Sequence, residues 1–251
     1  DKIMQTIETK KNRLSKVGGF KQNLLILLFS LTSISAYSAG GGVGLNSTRI
    51  IYNQGEKSAS IGARNNTDIN YLAKFMVNKS PDGLKGDAPF TVTPPLVKVD
   101  SGKTQEVKIY GQTHNLPTDR ESIFYFSATM IPATNGPVNG AALNIGYNNV
   151  IKLFYRPGKL PVSPKEAHEQ LKIESSATGI TVVNNSPYYI SLSNLSVNGV
   201  KVDMSMKKRN TMISPYDSFS YITPANGRKG VAKWTVINDL GGEDVYHGQV
   251  H

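Results

Sequence analysis

The sequence predicts an all-β protein built from two successive β-sandwich domains, on three observations. Short runs rich in β-branched and aromatic residues recur along most of the chain, each closed by a Gly, Pro, Asn or Asp turn signal. No stretch beyond the N-terminus shows convincing amphipathic-helix periodicity. Between the two β-rich halves lies "RPGKLPVSPKEAHEQ", where Pro157, Pro161 and Pro164 suit a short stiff linker. The 251 residues, 39% of them hydrophobic, are enough for two cores of roughly 100 residues each.

Residues 1–39 read as a secretory signal peptide. Lys10, Lys11, Arg13, Lys16 and Lys21 lead into the apolar "NLLILLFSLTSISA" and then the small-residue "AYSAGGG", the basic, apolar, small order of such segments. The apolar run falls short of the roughly 20 residues that cross a bilayer. The Gly-rich "SAGGGVG" that follows at once argues against an uncleaved anchor, and cleavage is expected after Ser38 or Ala39. Removing residues 1–38 takes away six cations and two carboxylates, so the net charge falls from +10 to +6. There are no cysteines. A secreted chain without them must hold itself by its core, and thiol catalysis and cysteine-ligated zinc are excluded.

Residues 40–156 form the first expected domain. Strands are predicted over Thr48 to Tyr52, Ser58 to Asn65 and Tyr71 to Asn78, then within "FTVTPPLVKVDSGKTQEVKIYG" and "ESIFYFSATMIP", and over Ala141 to Arg156. Residues 157–163 are the linker. Residues 164–251 form the second domain, opening on a brief helical turn at Pro164 to Gln170. Strand signals resume at "LKIESSATGITVVNNSPYYISLSNLSVNGVKV", where Asn198-Gly199 suits a type I′ hairpin turn. "TMISPYDSFSYIT" and "KGVAKWTVIND" complete a smaller sandwich, and no exact repeat relates the two halves.

Enzyme chemistry finds no foothold. His114, His168, His247 and His251 lack metal-ligand spacing, and no G-x-S-x-G, H-E-x-x-H or phosphate loop occurs. "GGGVG" has no strand before it and no helix after it, so it fails as a dinucleotide fingerprint. The basic runs "MKKRN" and "GRKG" read as solvated loops, since secretion removes nucleic acid as a partner. No metal and no cofactor is expected.

What stands out is a set of charges inside strand-like apolar runs: Arg49 in "STRIIY", Glu121 in "DRESIFYF", Lys152 and Arg156 in "IKLFYRP", and Asp239 in "TVINDLGG". Each alone reads as an edge residue facing solvent, because such groups are almost never fully buried unpaired. Together they predict pairing. Glu121 and Asp239 can neutralise Arg156, which leaves Arg49 and Lys152 for another partner. Upstream of Lys152 in the same expected strand, Leu143, Ile145 and Tyr147 are apolar at every second position and share a face.

"LNSTRIIY", "NYLAKFMV", "TPPLVKVDSG", "LPTDRESIFYF", "IKLFYRP", "NNSPYYISL", "ISPYDS" and "INDLGG" together resemble the periplasmic pilus-assembly chaperones of the chaperone-usher, PapD-like family. The resemblance covers essentially the whole mature chain. It implies two immunoglobulin-like domains in a boomerang with a cleft between them, and a non-enzymatic chaperone that binds, folds and caps pilin subunits and delivers them to an outer-membrane usher. By the same resemblance, Arg49 and Lys152 anchor the subunit's C-terminal carboxylate. Leu143, Ile145 and Tyr147 donate a strand to a subunit that lacks its own last strand, and Glu121, Arg156 and Asp239 form an interdomain ion network. The short connection "PATNGPVNGAA" and the absent cysteine pair are similar to the short-loop branch, and Tyr147 stands where an aliphatic residue is commoner. The resemblance also suggests a cis Thr93-Pro94 bond. The free chaperone can cover its apolar strand by self-association.

Leu143, Ile145 and Tyr147 are odd-numbered and Lys152 is even, so a regular strand aims them at opposite faces. A bulge or strong twist at Asn148-Asn149 is the favoured expectation, and an approach of the carboxylate from the cleft side the other. The competing function is a structural or adhesive β-sandwich such as a pilus subunit. A secreted hydrolase lacks its nucleophile.

Overall fold

Alternation in "YLAKFMVN" buries Tyr71, Ala73, Phe75 and Val77 and turns Leu72 and Lys74 outward, the period-2 pattern of a strand with one face on a core. The same logic repeats throughout the computed structural model, which describes residues 42–133 and 146–251. The expected signal segment, the connection before the donor strand, and Leu143 and Ile145 lie outside the described residues.

Among the described residues nine strands make the first sandwich: β1 (Val43–Leu45), β2 (Arg49–Asn53), β3 (Ala59–Asn65), β4 (Tyr71–Asn78), β5 (Phe90–Thr93), β6 (Leu96–Val99), β7 (Thr104–Gly111), β8 (Ser122–Pro132) and β9 (Tyr147–Arg156). One sheet runs β1-β3-β7-β5 and the other β2-β9-β8-β4-β6. Their inner faces meet in a core that includes Ile61, Phe75, Ile109, Phe126 and Leu153, with the Phe75 and Phe126 rings stacked at 5.9 Å. Among the described residues the ladders are antiparallel except one, since β2 runs parallel to β9. The Thr93-Pro94 bond is cis.

A helix, α1 (Pro164–Glu169), opens the second half. Ser163 Oγ accepts from the Glu166 amide at 3.2 Å and Glu166 Oε2 accepts from the Ser163 amide at 2.7 Å, a reciprocal capping box with Pro164 at the first helical position. Then come β10 (Lys172–Ser175), β11 (Gly179–Asn184), β12 (Ile190–Val197), β13 (Val200–Lys201), β14 (Met212–Ile213), β15 (Asp217–Ile222), β16 (Val231–Ile237) and β17 (Glu243–Gln249). Sheet β10-β11-β15 packs on sheet β13-β12-β16-β17, with β14 beside β12, over a second core around Ile180, Leu192, Leu195 and Trp234. The β12–β13 hairpin turns on Asn198 and Gly199 at φ 51° and 76°, the two positive values a type I′ turn needs.

A relation between the halves escapes the sequence reading. Asn65 in "NNT" donates to the Ile69 and Val99 carbonyls and accepts from Thr67. Asn184 in "NNS" donates to the Tyr188 and Ser214 carbonyls and accepts from Ser186. Both side chains are almost wholly buried, at 0% and 1% exposure. Each stands at a strand end and spends its amide on backbone carbonyls of neighbouring segments, because a buried amide without partners would be costly.

Candidate functional site

Strand β9 sorts its side chains by parity. Ile151, Leu153 and Tyr155 enter the first core, so Lys152, Phe154 and Arg156 leave on the opposite face. Beside them in register are Arg49 next to Lys152 and Ile51 next to Phe154 on β2, and Tyr125 next to Lys152 on β8. The second domain meets this face with Tyr189 and Ser191 from the start of β12, and with Ile237 and Asp239 from the end of β16.

Arg49 reaches across the chain: its Nη1 donates to the Ile237 carbonyl at 3.0 Å, and its guanidinium lies 5.5 Å from the Phe154 ring centroid. Its Nε is buried without a hydrogen-bond partner among the described residues. Burial lowers its pKa, opposed by the charges of Asp239 and Glu121. Lys152 donates from Nζ to Ser191 Oγ at 3.4 Å. Burial, reinforced by Arg49, pushes the Lys152 ammonium down to about 8. Among the described residues no carboxylate lies within 4.0 Å of either cation.

Arg156 is the opposite case. Its Nε donates to Glu121 Oε1 at 2.8 Å, and Nη1 and Nη2 take the two oxygens of Asp239 at 2.6 and 2.8 Å, a bidentate fork. Glu121, only 3% exposed, also accepts from the Tyr189 amide at 2.9 Å. Burial pushes the Glu121 carboxyl upward, and Arg156 with the Tyr189 amide pulls it back. Both of its oxygens accept from donors, the arrangement of an ionised carboxylate. Burial also works against Asp239, yet the hydrogen bonds and charge of Arg156 hold its carboxyl below the usual range. The structure thus brings Glu121, Arg156 and Asp239 into one network that joins the two sandwiches, and it places Arg49 and Lys152 beside that network without absorbing them.

Three residues near the pair carry no signal that the sequence reading used. Ser191 on β12 accepts from Lys152, Tyr189 just before β12 sets its ring 5.9 Å from that of Phe154, and Gly241 in "NDLGG" sits at φ 81° where a Cβ would come within 2.4 Å of Thr48 Oγ1. A side chain at 241 would be strained and would clash, so glycine lets the two sandwiches approach beside Arg49. The adjoining cavity, about 980 Å³, is lined by Lys79, Lys85, Tyr125, Lys152, Lys207 and Arg209 among others, with Asp82 the acidic residue in its wall.

The bulge expected at Asn148-Asn149 needs correction. Pairing of β8 with β9 runs without a break from Met130↔Tyr147 to Ser122↔Tyr155, so there is no bulge. Tyr147, 54% exposed, faces Tyr71 on the core side with ring centroids 6.3 Å apart, opposite Lys152. The reason is in β8, whose 11-residue run supplies a partner for every residue of this stretch. On its other edge β9 is paired with β2 over Lys152 to Arg156, and among the described residues no strand pairs with that edge from Tyr147 to Ile151.

Comparison with known proteins bears on what such a face is for. Residues 42–161 match a family model described as the pili and flagellar-assembly chaperone, PapD N-terminal domain, and residues 166–248 one described as the pili assembly chaperone PapD, C-terminal domain. The probable fimbrial chaperone protein ElfD of Escherichia coli K12 is 37% identical over 225 residues, which span 87% of this chain and 93% of ElfD. The chaperone protein FimC of the same strain is 33% identical over 219 residues, 86% of this chain and 87% of FimC. Among solved structures, the complex of the Salmonella enterica SafA pilin with the SafB chaperone matches with a TM-score of 0.73 at 26% identity, over 84% of this chain and 97% of that one. The E. coli chaperone DraB matches with a TM-score of 0.70 at 30% identity, over 84% of this chain and 97% of DraB.

Proposed function

The chain belongs to the pilus-assembly chaperones of the PapD family, and on that premise we propose that it captures pilin subunits by lending them a strand and holding their C-terminal carboxylate between Arg49 and Lys152. It is a fimbrial chaperone and not an enzyme, and the alternative of a pilus subunit or adhesin is set aside by the names of its relatives. The proposed setting is the periplasm after signal removal, with delivery to an outer-membrane usher.

One observation carries the reading: among the described residues, two adjacent cations without a carboxylate stand where β2 begins, at the end of a strand edge with no partner. A guest strand laid along Tyr147 to Ile151 continues the line of β2 and must stop at Arg49. For its C-terminus to point there it runs parallel to β9, as β2 does. A terminal carboxylate leaves along the strand axis and belongs to neither face. The guest can therefore reach Lys152 on one face while alternate donor side chains serve the other, and no bulge is required. Each well-buried donor side chain contributes roughly 1.5 to 3 kcal/mol, and each charge-assisted bond at the anchor about the same. Backbone pairing supplies the strand-addition affinity, and the anchor sets register, because a one-residue slip would turn every apolar side chain to the wrong face.

The testing experiment is co-purification of the mature protein with pilin subunits encoded beside it. Ile145→Asp and Tyr147→Asp are expected to abolish or strongly reduce recovery of the subunit. Tyr147→Asp should change thermal unfolding of the free protein by less than 1 kcal/mol, as expected at a half-exposed site. Subunit recovery at wild-type yield from both variants would overturn the donor-strand reading.

Affinity should also depend on pH. The anchor needs charged Lys152, whose pKa in the free protein is about 8, and a bound carboxylate raises it, so binding takes up a proton above that pH. Subunit affinity is expected to be flat from pH 6 to 7.5 and to fall by about tenfold per pH unit above 8. Lys152→Arg, which stays charged, should lose this alkaline limb whatever its affinity.

A further inference from the structure

Both cations of the anchor stand on the first sandwich, yet each is held by the second. Lys152 makes its one hydrogen bond among the described residues to Ser191 Oγ at 3.4 Å, and Arg49 Nη1 donates to the Ile237 carbonyl at 3.0 Å. Ser191 is 2% exposed and stands between Ile190 and Leu192, at 0% and 2%. A hydroxyl buried to this degree needs a partner, and its partner is the anchor lysine. Ile237 lies two residues before Asp239, which grips Arg156, so one short segment both joins the sandwiches and aims Arg49.

We propose that the C-terminal domain is a working part of the carboxylate anchor, with Ser191 a positioning residue that holds Lys152 for the incoming subunit and the Ile237 carbonyl doing the same for Arg49. This rests on the reading of Arg49 and Lys152 as the anchor. The choice of groups fits the task. A carboxylate at position 191 would neutralise the lysine and compete with the guest. A hydroxyl oxygen accepts from one ammonium N–H, leaves two for the guest, and can turn its own proton toward the guest carboxylate. Lysine gives up rotamer freedom when fixed, and fixing it beforehand removes part of that cost from the binding step. Because both holders sit on the second sandwich, the guest and the interdomain network are thermodynamically coupled, and each resists release of the other.

Charged and titratable groups around Lys152 are Arg49 on β2, Tyr125 on β8, and Lys79, Asp82, Lys85, Lys207 and Arg209 in the cavity wall. Ser191 is uncharged and lies apart from these in chemistry, so it can be tested separately. The probe is a synthetic peptide of the C-terminal residues of a pilin subunit encoded beside this chain, with a free carboxylate or as the amide, titrated into the full mature protein. Wild type should prefer the carboxylate. Ser191→Ala is expected to reduce that preference about tenfold, the worth of one hydrogen bond to a charged group, and to move the alkaline limb of binding to lower pH. Ser191→Thr, which keeps the hydroxyl, should restore both. The ratio of carboxylate to amide affinity within each variant reads the anchor independently of overall stability. An unchanged ratio and limb in Ser191→Ala would overturn the positioning role, whereas a wild type indifferent to amidation would overturn the anchor reading itself.

Discussion

Lys152→Ala is expected to abolish capture of pilin subunits, with at least a hundredfold loss of affinity, while the free protein unfolds at the same temperature or slightly higher. The two halves of that result have one cause. Burial has lowered the Lys152 pKa from 10.5 to about 8, so the folded protein carries an ammonium that would be better solvated in the unfolded chain. The unfolded state binds more protons between pH 8 and 10.5, and the stability contributed by this group rises with pH across that window. At neutral pH the penalty is at most about 3 kcal/mol. The lost packing of the lysine stem and the buried Ser191 hydroxyl left without its partner offset most of it, leaving the stability close to unchanged. Loss of the guest's charge-assisted bonds has no such offset. Capture measured by co-purification and stability by thermal unfolding should therefore separate. A variant that captured subunits normally would remove Lys152 from the anchor. A variant that unfolded several degrees lower would make it a structural residue.

Glu121→Ala should act first on stability, with a loss of about 3 to 5 kcal/mol. The carboxylate is buried and serves two donors, Arg156 Nε and the Tyr189 amide, so its removal strands both. Asp239→Ala should cost less, about 1 to 2 kcal/mol, because the Asp239 side chain is 38% exposed where that of Glu121 is 2% and water can take its place. Glu121→Gln keeps an acceptor for the Tyr189 amide and should fall between them. Urea unfolding of the three variants checks the order. Equal losses from Glu121→Ala and Asp239→Ala would mean that burial does not set the cost. Because Asp239 and Ile237 share a segment, the same variants are expected to weaken subunit binding in proportion to their loss of domain registration.

Much of the molecule is legible in its sequence. The strand expected over Tyr71 to Asn78 is β4, and the helical turn expected from Pro164 ends one residue sooner, at Glu169. The Asn198-Gly199 hairpin forms with both φ values positive. These features are local: alternation, a capping box and a two-residue turn are each complete within a few residues, so the chain states them outright. The charged residues were legible for a related reason. Lys152 in "VIKLFY" contradicts its apolar surroundings, and a contradiction of that kind is visible in one dimension.

The register of β9 was not. Asn148-Asn149 invites a bulge in isolation, but an 11-residue neighbour with a partner for every position keeps the ladder regular. Nor was the company that Lys152 and Arg49 keep. The serine that holds Lys152 lies 39 positions away and the carbonyl that holds Arg49 lies 188 positions away, and a backbone carbonyl has no sequence signature at all. By itself the sequence determined the all-β class, most of the strands and which charges lack an obvious partner, because those follow from side-chain chemistry and period. Only the tertiary structure decided which charges neutralise one another and which stay open, because that depends on distances of a few ångströms between segments that packing alone brings together.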